Sequence, residues 1–208
     1  MKEKGFLIVI SGFSGAGKGT VVKKLCENHP YKLSVSATTR EPREGETHGS
    51  EYFFKTAEEF EQLIEENGFI EWAKYIGNYY GTPKADIEKQ LELGNDIILE
   101  IEIQGAMNVK KMFPDALLLF ITPTNVEELK IRLMERCTET EKDIEDRMNR
   151  AYEESPYMNH YDYIIINDEL DQCVDMLHSI IKAHHFSKKH SQTIIKKMQR
   201  ELEQYKIN

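Results

Sequence analysis

Ile8-Val9-Ile10-Ser11-Gly12-Phe13-Ser14-Gly15-Ala16-Gly17-Lys18-Gly19-Thr20 carries the densest chemistry in this chain. Gly12, Gly15 and Gly17 lack the Cβ that bars positive φ and close backbone approach. A turn built from them can aim successive N–H groups at one point, and a helix N-terminus behind it adds favourable dipole charge. Lys18 supplies a mobile point charge for outer phosphates. The spacing Gly12-x4-Gly17-Lys18 is that of a nucleotide phosphate loop, with one departure. Gly19 stands where the pattern has Ser or Thr, and Thr20 follows one place late. Gly12, Ser14, Gly15, Ala16, Gly17, Lys18, Gly19 and Thr20 are therefore expected around a bound triphosphate.

A second constellation is Ser34-Val35-Ser36-Ala37-Thr38-Thr39-Arg40-Glu41-Pro42-Arg43-Glu44-Gly45-Glu46, followed by Gly49 to Tyr52. Its hydroxyls and paired arginines could clamp a monophosphate. By composition alone, a polar turn with surface arginines fits equally well. Arginine is otherwise confined to Arg132, Arg136, Arg147, Arg150 and Arg200, whereas lysine is spread along the chain. Guanidinium binds phosphate oxygens bidentately and keeps its charge. Such clustering fits a small phosphorylated ligand.

These residues need elements to hold them. Phe6–Ile10 reads as a buried strand, and Val21 to Leu25 as the start of a helix. Residues 33–56 read as short strands and turns, and Thr56-Ala57-Glu58-Glu59 as a capping box opening a helix that Asn67-Gly68 ends. Phe69–Ala73 and Asn78–Thr82 are expected strands. Pro83 suits the first turn of a helix running to Leu93-Gly94. Asp96–Ile103 is an expected strand, with a helix opening at Gln104-Gly105. Ala116–Ile121 is wholly apolar, as in a parallel sheet covered on both faces. Thr124 to Glu127 reads as a second capping box before a helix with Val126, Leu129 and Leu133 on one stripe. Residues 137–145 are acidic and hydroxylic and read as exposed and mobile, Tyr163–Ile166 as a last buried strand, and a helix follows to about His184. The tail from Ser187 has helical spacing at Ile194, Ile195, Met198, Leu202 and Tyr205. It is expected to pack on its own domain, with a partner or dimer contact as the alternative. Strand–helix alternation of this kind gives an α/β parallel sheet with ligands at the carboxyl ends of the strands.

At 208 residues the chain allows one sizeable domain. A formal charge of −9 argues against a nucleic-acid partner, which needs a broad basic face. No apolar run spans a bilayer and no signal peptide opens the chain, so the cytoplasm, with no membrane partner, is expected. Cys26, Cys137 and Cys173 are isolated and form neither a disulfide framework nor a metal pair.

From residue 6 to about 185 the chain resembles the guanylate kinases. The likeness rests on the loop, on Ser34 to Glu46, and on Phe69-Ile70-Glu71-Trp72-Ala73 with Gly77-Asn78-Tyr79-Tyr80-Gly81-Thr82. It continues through Ile101-Glu102-Ile103-Gln104-Gly105, Arg132 to Thr140 and Ile165-Ile166-Asn167-Asp168. The resemblance implies a phosphate-loop sheet core (1–32, 83–135 and 149–186), a small α+β acceptor-binding insertion (33–82), a mobile lid (136–148) and a helical tail (187–208). It implies ATP-dependent phosphorylation of GMP, and of dGMP, with Mg²⁺ as cofactor and a monomer or homodimer as the working form. Arg40, Arg43 and Tyr52 would hold the GMP phosphate, with Tyr80 assisting. Ser36, Glu71 and Thr82 would read the guanine edge. Asn167 would lie against the ATP adenine. Lys18, Arg132, Arg136 and Arg147 would serve the transferred phosphoryl, with Arg150 a weaker candidate.

Glu100 and Glu102 stand where the family usually has aspartates. One is expected near the metal and the other near the acceptor, assigned here as Glu100 and Glu102 respectively. With Gly19 in the hydroxyl position, Mg²⁺ would be held mainly by phosphates and water, with Thr20 and Glu100 as possible ligands. Guanine chemistry agrees with Glu71, because one carboxylate can accept both the N1–H and N2–H donors that adenine lacks. The alternatives are an inert binding module of the same fold and a kinase for another small phosphorylated acceptor. The intact Gly17-Lys18 speaks against the first, and Glu71 with Thr82 against the second.

Overall fold

Residues 4–75, 77–135 and 141–206 are described in a computed structural model of the chain. In order, the elements are β1 (Leu7–Gly12), α1 (Lys18–Asn28), β2 (Lys32–Leu33), β3 (Ala37–Thr38), β4 (Phe53–Phe54) and α2 (Ala57–Glu65). Next come β5 (Phe69–Tyr75), β6 (Asn78–Pro83), α3 (Lys84–Glu92), β7 (Ile97–Glu100), α4 (Ile103–Met112) and β8 (Leu117–Thr122). The chain finishes with α5 (Val126–Met134), α6 (Glu141–Glu154), a 3₁₀ turn (Ser155–His160), β9 (Tyr163–Ile166), α7 (Leu170–His185) and α8 (Gln192–Glu203).

The apolar runs dictate the sheet. β1 and β8 are buried almost throughout and lie at the centre of a parallel sheet ordered β2-β7-β1-β8-β9. Strands with no polar face need cover on both sides, and helices supply it. α1 packs on α7, while α4 packs on β1 and β5. A second sheet, ordered β4-β3-β6-β5, belongs to the insertion and has a small core of its own. There Phe60 stacks on Phe69 and Tyr79, with ring centroids 4.2 and 5.2 Å apart. The capping box at Thr56 forms in both directions: Glu59 N–H donates to Thr56 Oγ1, and Thr56 N–H to Glu59 Oε2.

Several boundaries differ from the sequence reading, each for a local reason. The strand expected over 96–103 stops at Glu100, because Glu102 takes extended geometry as the N-cap of α4 and Ile103 becomes its first residue. The cap of α5 is Asn125, not Thr124. Its Oδ1 accepts from Glu128 N–H at 2.8 Å, and Val126 is left exposed. β9 is an edge strand with only Ile165 buried, since no further strand covers it. Residues 141–145 begin α6 and are mostly exposed, as their composition suggests; 137–140 lie outside the described residues. β2 pairs with β7, so Leu33 belongs to the main sheet and not to the insertion. The tail forms a helix with no buried residue, while the connector before it rests on the domain, with the His190 ring 5.3 Å from that of Phe6. Among the described residues no helix is long and apolar enough to cross a membrane.

Candidate active site

β1 delivers the glycine loop at the carboxyl edge of the main sheet. A Cβ on Gly12 would stand 2.1 Å from the Ile121 carbonyl oxygen, so β8 leaves room only for glycine. Gly17 is the N-cap of α1 with φ 85°, a left-handed conformation that side chains resist. No side chain caps α1 and its first turn holds no acid, so the helix offers its N-terminal amides and dipole to an anion. Lys18 lies back over the loop, with Nζ donating to the carbonyls of Gly12 at 2.7 Å and Phe13 at 3.2 Å. Thr20 sits in the first turn of α1 and is exposed. An ideal Cβ on Gly19 would meet Glu100 Oε1 at 3.5 Å, so the end of β7 brings a carboxylate to the residue that lacks a hydroxyl.

The insertion contributes the facing wall. β5 and β6 pair antiparallel with a register shift between Phe69 and Trp72, and Glu71 lies within that irregularity. A bulge re-aims the side chains it carries. Here Glu71 meets Thr82, whose Oγ1 donates to Glu71 Oε1 at 2.6 Å. Ala37 opposes Gly81 in the antiparallel β3–β6 pair, which puts Ser36 next to Thr82 along the ladder. Burial pushes the Glu71 carboxyl above its ordinary range, and the Thr82 hydroxyl draws it part-way back. Glu71, Glu100, Glu102 and Lys18 line one cleft of about 420 Å³, together with Trp72 and Gly105. Crowding by protein raises the Glu100 carboxyl too; Lys18 opposes that shift and Glu102 adds to it. The phosphate loop and the carboxylate of the insertion therefore share a single space.

The described arginines divide between this cleft and other parts of the surface. Arg40 Nη2 pairs with Glu46 Oε1 at 2.8 Å, and its guanidinium lies 5.5 Å from the Tyr52 ring centroid and 5.8 Å from that of Phe54. The Tyr52 and Tyr80 rings are 6.0 Å apart. Arg40, Tyr52 and Tyr80 thus form one group. Arg40 faces a separate depression with Thr39 and Phe54 rather than the Glu71 cleft. Arg43 is exposed and donates its backbone N–H to Glu46 Oε2 at 2.7 Å. On α6, Arg147 donates to Ser14 Oγ of the loop, and Arg150 pairs with Glu102 at 3.2 Å and Glu154 at 2.8 Å. Arg132 pairs along α5 with Glu128 at 2.7 Å. Arg136 lies outside the described residues.

A family model described as guanylate kinase matches residues 4–184. The chain belongs to the guanylate kinase family. A guanylate kinase of Caldanaerobacter subterraneus subsp. tengcongensis is 53% identical over 184 residues, covering 88% of this chain and 89% of that one. One from Bacillus subtilis is 47% identical over 200 residues, covering 95% and 98%. Among solved structures, the guanylate kinase of Anaplasma phagocytophilum superposes with a TM-score of 0.68 at 32% identity, covering 90% of this chain and 89% of that one.

Within this guanylate kinase, two residues take positions that motif reading did not supply. Glu46 holds both Arg40 and the Arg43 backbone, and Arg40 in turn keeps the Glu46 carboxyl below its usual range. Its only signal in the sequence was an acid three residues after Arg43. Asn167, expected at the adenine, has a buried Nδ2 that donates to the Ala16 carbonyl at 2.8 Å and would lie 2.5 Å from a Cβ on Gly17. It braces the loop from behind, a contact between residues 151 positions apart that no local pattern reveals.

Proposed function

We propose that the chain transfers the γ-phosphoryl of ATP to GMP, giving ADP and GDP, and accepts dGMP in the same way. The observation that carries this reading is the shared cleft: Lys18 of a phosphate loop and Glu71, held from behind by buried Thr82, line the same walls. A GMP phosphate oxygen attacks the γ-phosphorus while the bond to the β–γ bridging oxygen of ATP breaks and ADP leaves. Such a transfer asks for positioning and charge neutralisation more than covalent help. The loop amides and Lys18 hold the triphosphate. Glu71 accepts the guanine N1–H and N2–H, with Ser36, Thr82 and Glu102 beside it. Arg40, Arg43, Tyr52 and Tyr80 take the acceptor phosphate once its oxygens replace the Glu46 carboxylate on Arg40. Arg132, Arg136 and Arg147 gather over the moving group, and closure keeps water from taking it.

Among the described residues no cluster of three or more histidine, cysteine or acidic side chains is arranged to hold a metal. Glu100 beside Gly19 fits an ion that keeps most of its water and phosphate ligands, as Mg²⁺ does. When bound, Mg²⁺ neutralises charge on the β- and γ-phosphates. Both nucleotides are soluble metabolites, consistent with action in the cytoplasm.

An acceptor panel tests this function: ATP and Mg²⁺ with GMP, dGMP, AMP or ribose 5-phosphate, with ADP formation followed. ADP is expected with GMP and dGMP, and at rates roughly 10⁴-fold lower with AMP, which cannot satisfy Glu71. Comparable rates with AMP or the sugar phosphate would overturn the assignment.

A further inference from the structure

We propose, resting on the phosphoryl-transfer function of this cleft, that Arg150 is a positioning residue for the acceptor nucleotide and acts through Glu102. Arg147 and Arg150 stand one turn apart on α6 and divide there. Arg147 donates to Ser14 Oγ of the phosphate loop, whereas Arg150 turns to Glu102. Its Nη2 donates to Glu102 Oε2 at 3.2 Å, and its Nε donates to Glu154 Oε1 at 2.8 Å. The Glu154 side chain is only 16% exposed, so it seats one arm of the guanidinium fork while the outer nitrogen holds Glu102.

Glu102 is available for this role. It is the N-cap of α4, but its side chain makes no capping bond there. With Oε2 on Arg150, Oε1 is left for an N–H of the bound nucleotide. Residue 102 is also a position where the family usually has aspartate. One methylene fewer would draw the carboxylate back by about 1.5 Å, which takes a 3.2 Å contact beyond hydrogen-bond range. The longer acid and the arginine on α6 therefore form a matched pair.

Charge points the same way. Glu71, Glu100 and Glu102 line the cleft, and among the described residues Lys18 and Arg150 are the cations that line it with them. The acceptor nucleotide is itself an anion. Without Arg150 it would enter past three carboxyl groups with one lysine to offset them. The pair contributes little to the fold, because Arg150 and Glu102 are 61% and 66% exposed and water screens such ion pairs. A nucleotide in the cleft displaces that water, so the contact gains strength in the bound state.

Steady-state kinetics with ATP and GMP test the role of Arg150. Arg150→Ala should raise KM for GMP about tenfold. Its kcat and its KM for ATP should stay within about twofold, the split expected when binding common to ground and transition states is lost. The melting temperature should not move. Arg150→Lys keeps the charge without the fork and should return KM to within about threefold of wild type. In a Glu102→Asp chain the shorter acid no longer reaches α6, so adding Arg150→Ala should change KM by less than about twofold. An arginine with a merely structural role would not fall silent in that background. Three results would overturn the proposal. One is an unchanged KM in Arg150→Ala. Another is a kcat about 10²-fold lower at constant KM, which would put Arg150 on the moving phosphoryl. The third is a full rise in KM that persists in the Glu102→Asp chain, which would put Arg150 on the nucleotide directly. In each of these the wild-type chain still turns over GMP, and the phosphoryl-transfer reading stands. A wild-type chain that forms no ADP from ATP and GMP would overturn that reading, and this one with it.

Discussion

At the scale of the single residue, the proposed function makes Glu71 the source of both specificity and a pH limit. Its carboxyl must be ionised to accept two guanine N–H groups, yet burial lifts it above its ordinary value of 4.5. As pH falls, Glu71 therefore protonates earlier than an exposed glutamate, and GMP affinity is lost with it. The sign for stability is opposite. The folded state binds this proton more readily than the unfolded chain, so acidification through that window favours the fold, and ionised Glu71 costs stability at neutral pH. Glu71→Gln should raise the melting temperature while lowering kcat/KM for GMP by about 10²-fold or more. It should also abolish the acidic fall in GMP affinity, which calorimetric titration across pH would record. Lys18→Ala and Arg147→Ala act differently, because their partners are the loop and the moving phosphoryl. Each should lower kcat by roughly 10²–10³-fold with little change in GMP affinity. Steady-state kinetics that show unchanged turnover would remove the residue from its proposed role.

The elements explain why those residues meet. α1 begins at a glycine that no side chain caps, and Asn167 at the end of β9 fixes the loop that precedes it. Asn167→Ala should raise KM for ATP about tenfold and leave KM for GMP unchanged, since the lost bond orphans only the Ala16 carbonyl. The insertion depends on its own cap: Thr56→Ala should cost about 1 kcal/mol in thermal or denaturant unfolding. The phosphate loop, the Thr56 capping box and the buried β1 and β8 runs were legible in the sequence because each is a local pattern. What was not legible came from distant neighbours. The bulge that turns Glu71 toward Thr82 and the Asn167 brace depend on tertiary pairing, whereas the Glu46 hold on Arg40 closes over six residues of one loop. The end of β7 moved because Glu102 caps α4, a competition that hydrophobic pattern alone does not register.

For the whole molecule, the arrangement is two cores around one cleft. The main sheet carries the triphosphate loop, the smaller sheet carries the carboxylate for the acceptor, and α6 reaches both the loop through Arg147 and Glu102 through Arg150. Arg40 lines a separate depression of the insertion, beside Thr39 and Phe54. The sheet ends differ: the phosphate loop stands at the carboxyl edge, and a groove floored by Phe6, Leu91, Met112 and Phe113 lies at the other.

A crystal structure with GMP and a non-hydrolysable ATP analogue tests the central claim most directly. The account predicts the guanine edge within hydrogen-bond distance of Glu71 and Thr82, with the Lys18 ammonium on the triphosphate in the same cleft. Guanine bound elsewhere, or a triphosphate that leaves Lys18 on the Gly12 and Phe13 carbonyls alone, would contradict it.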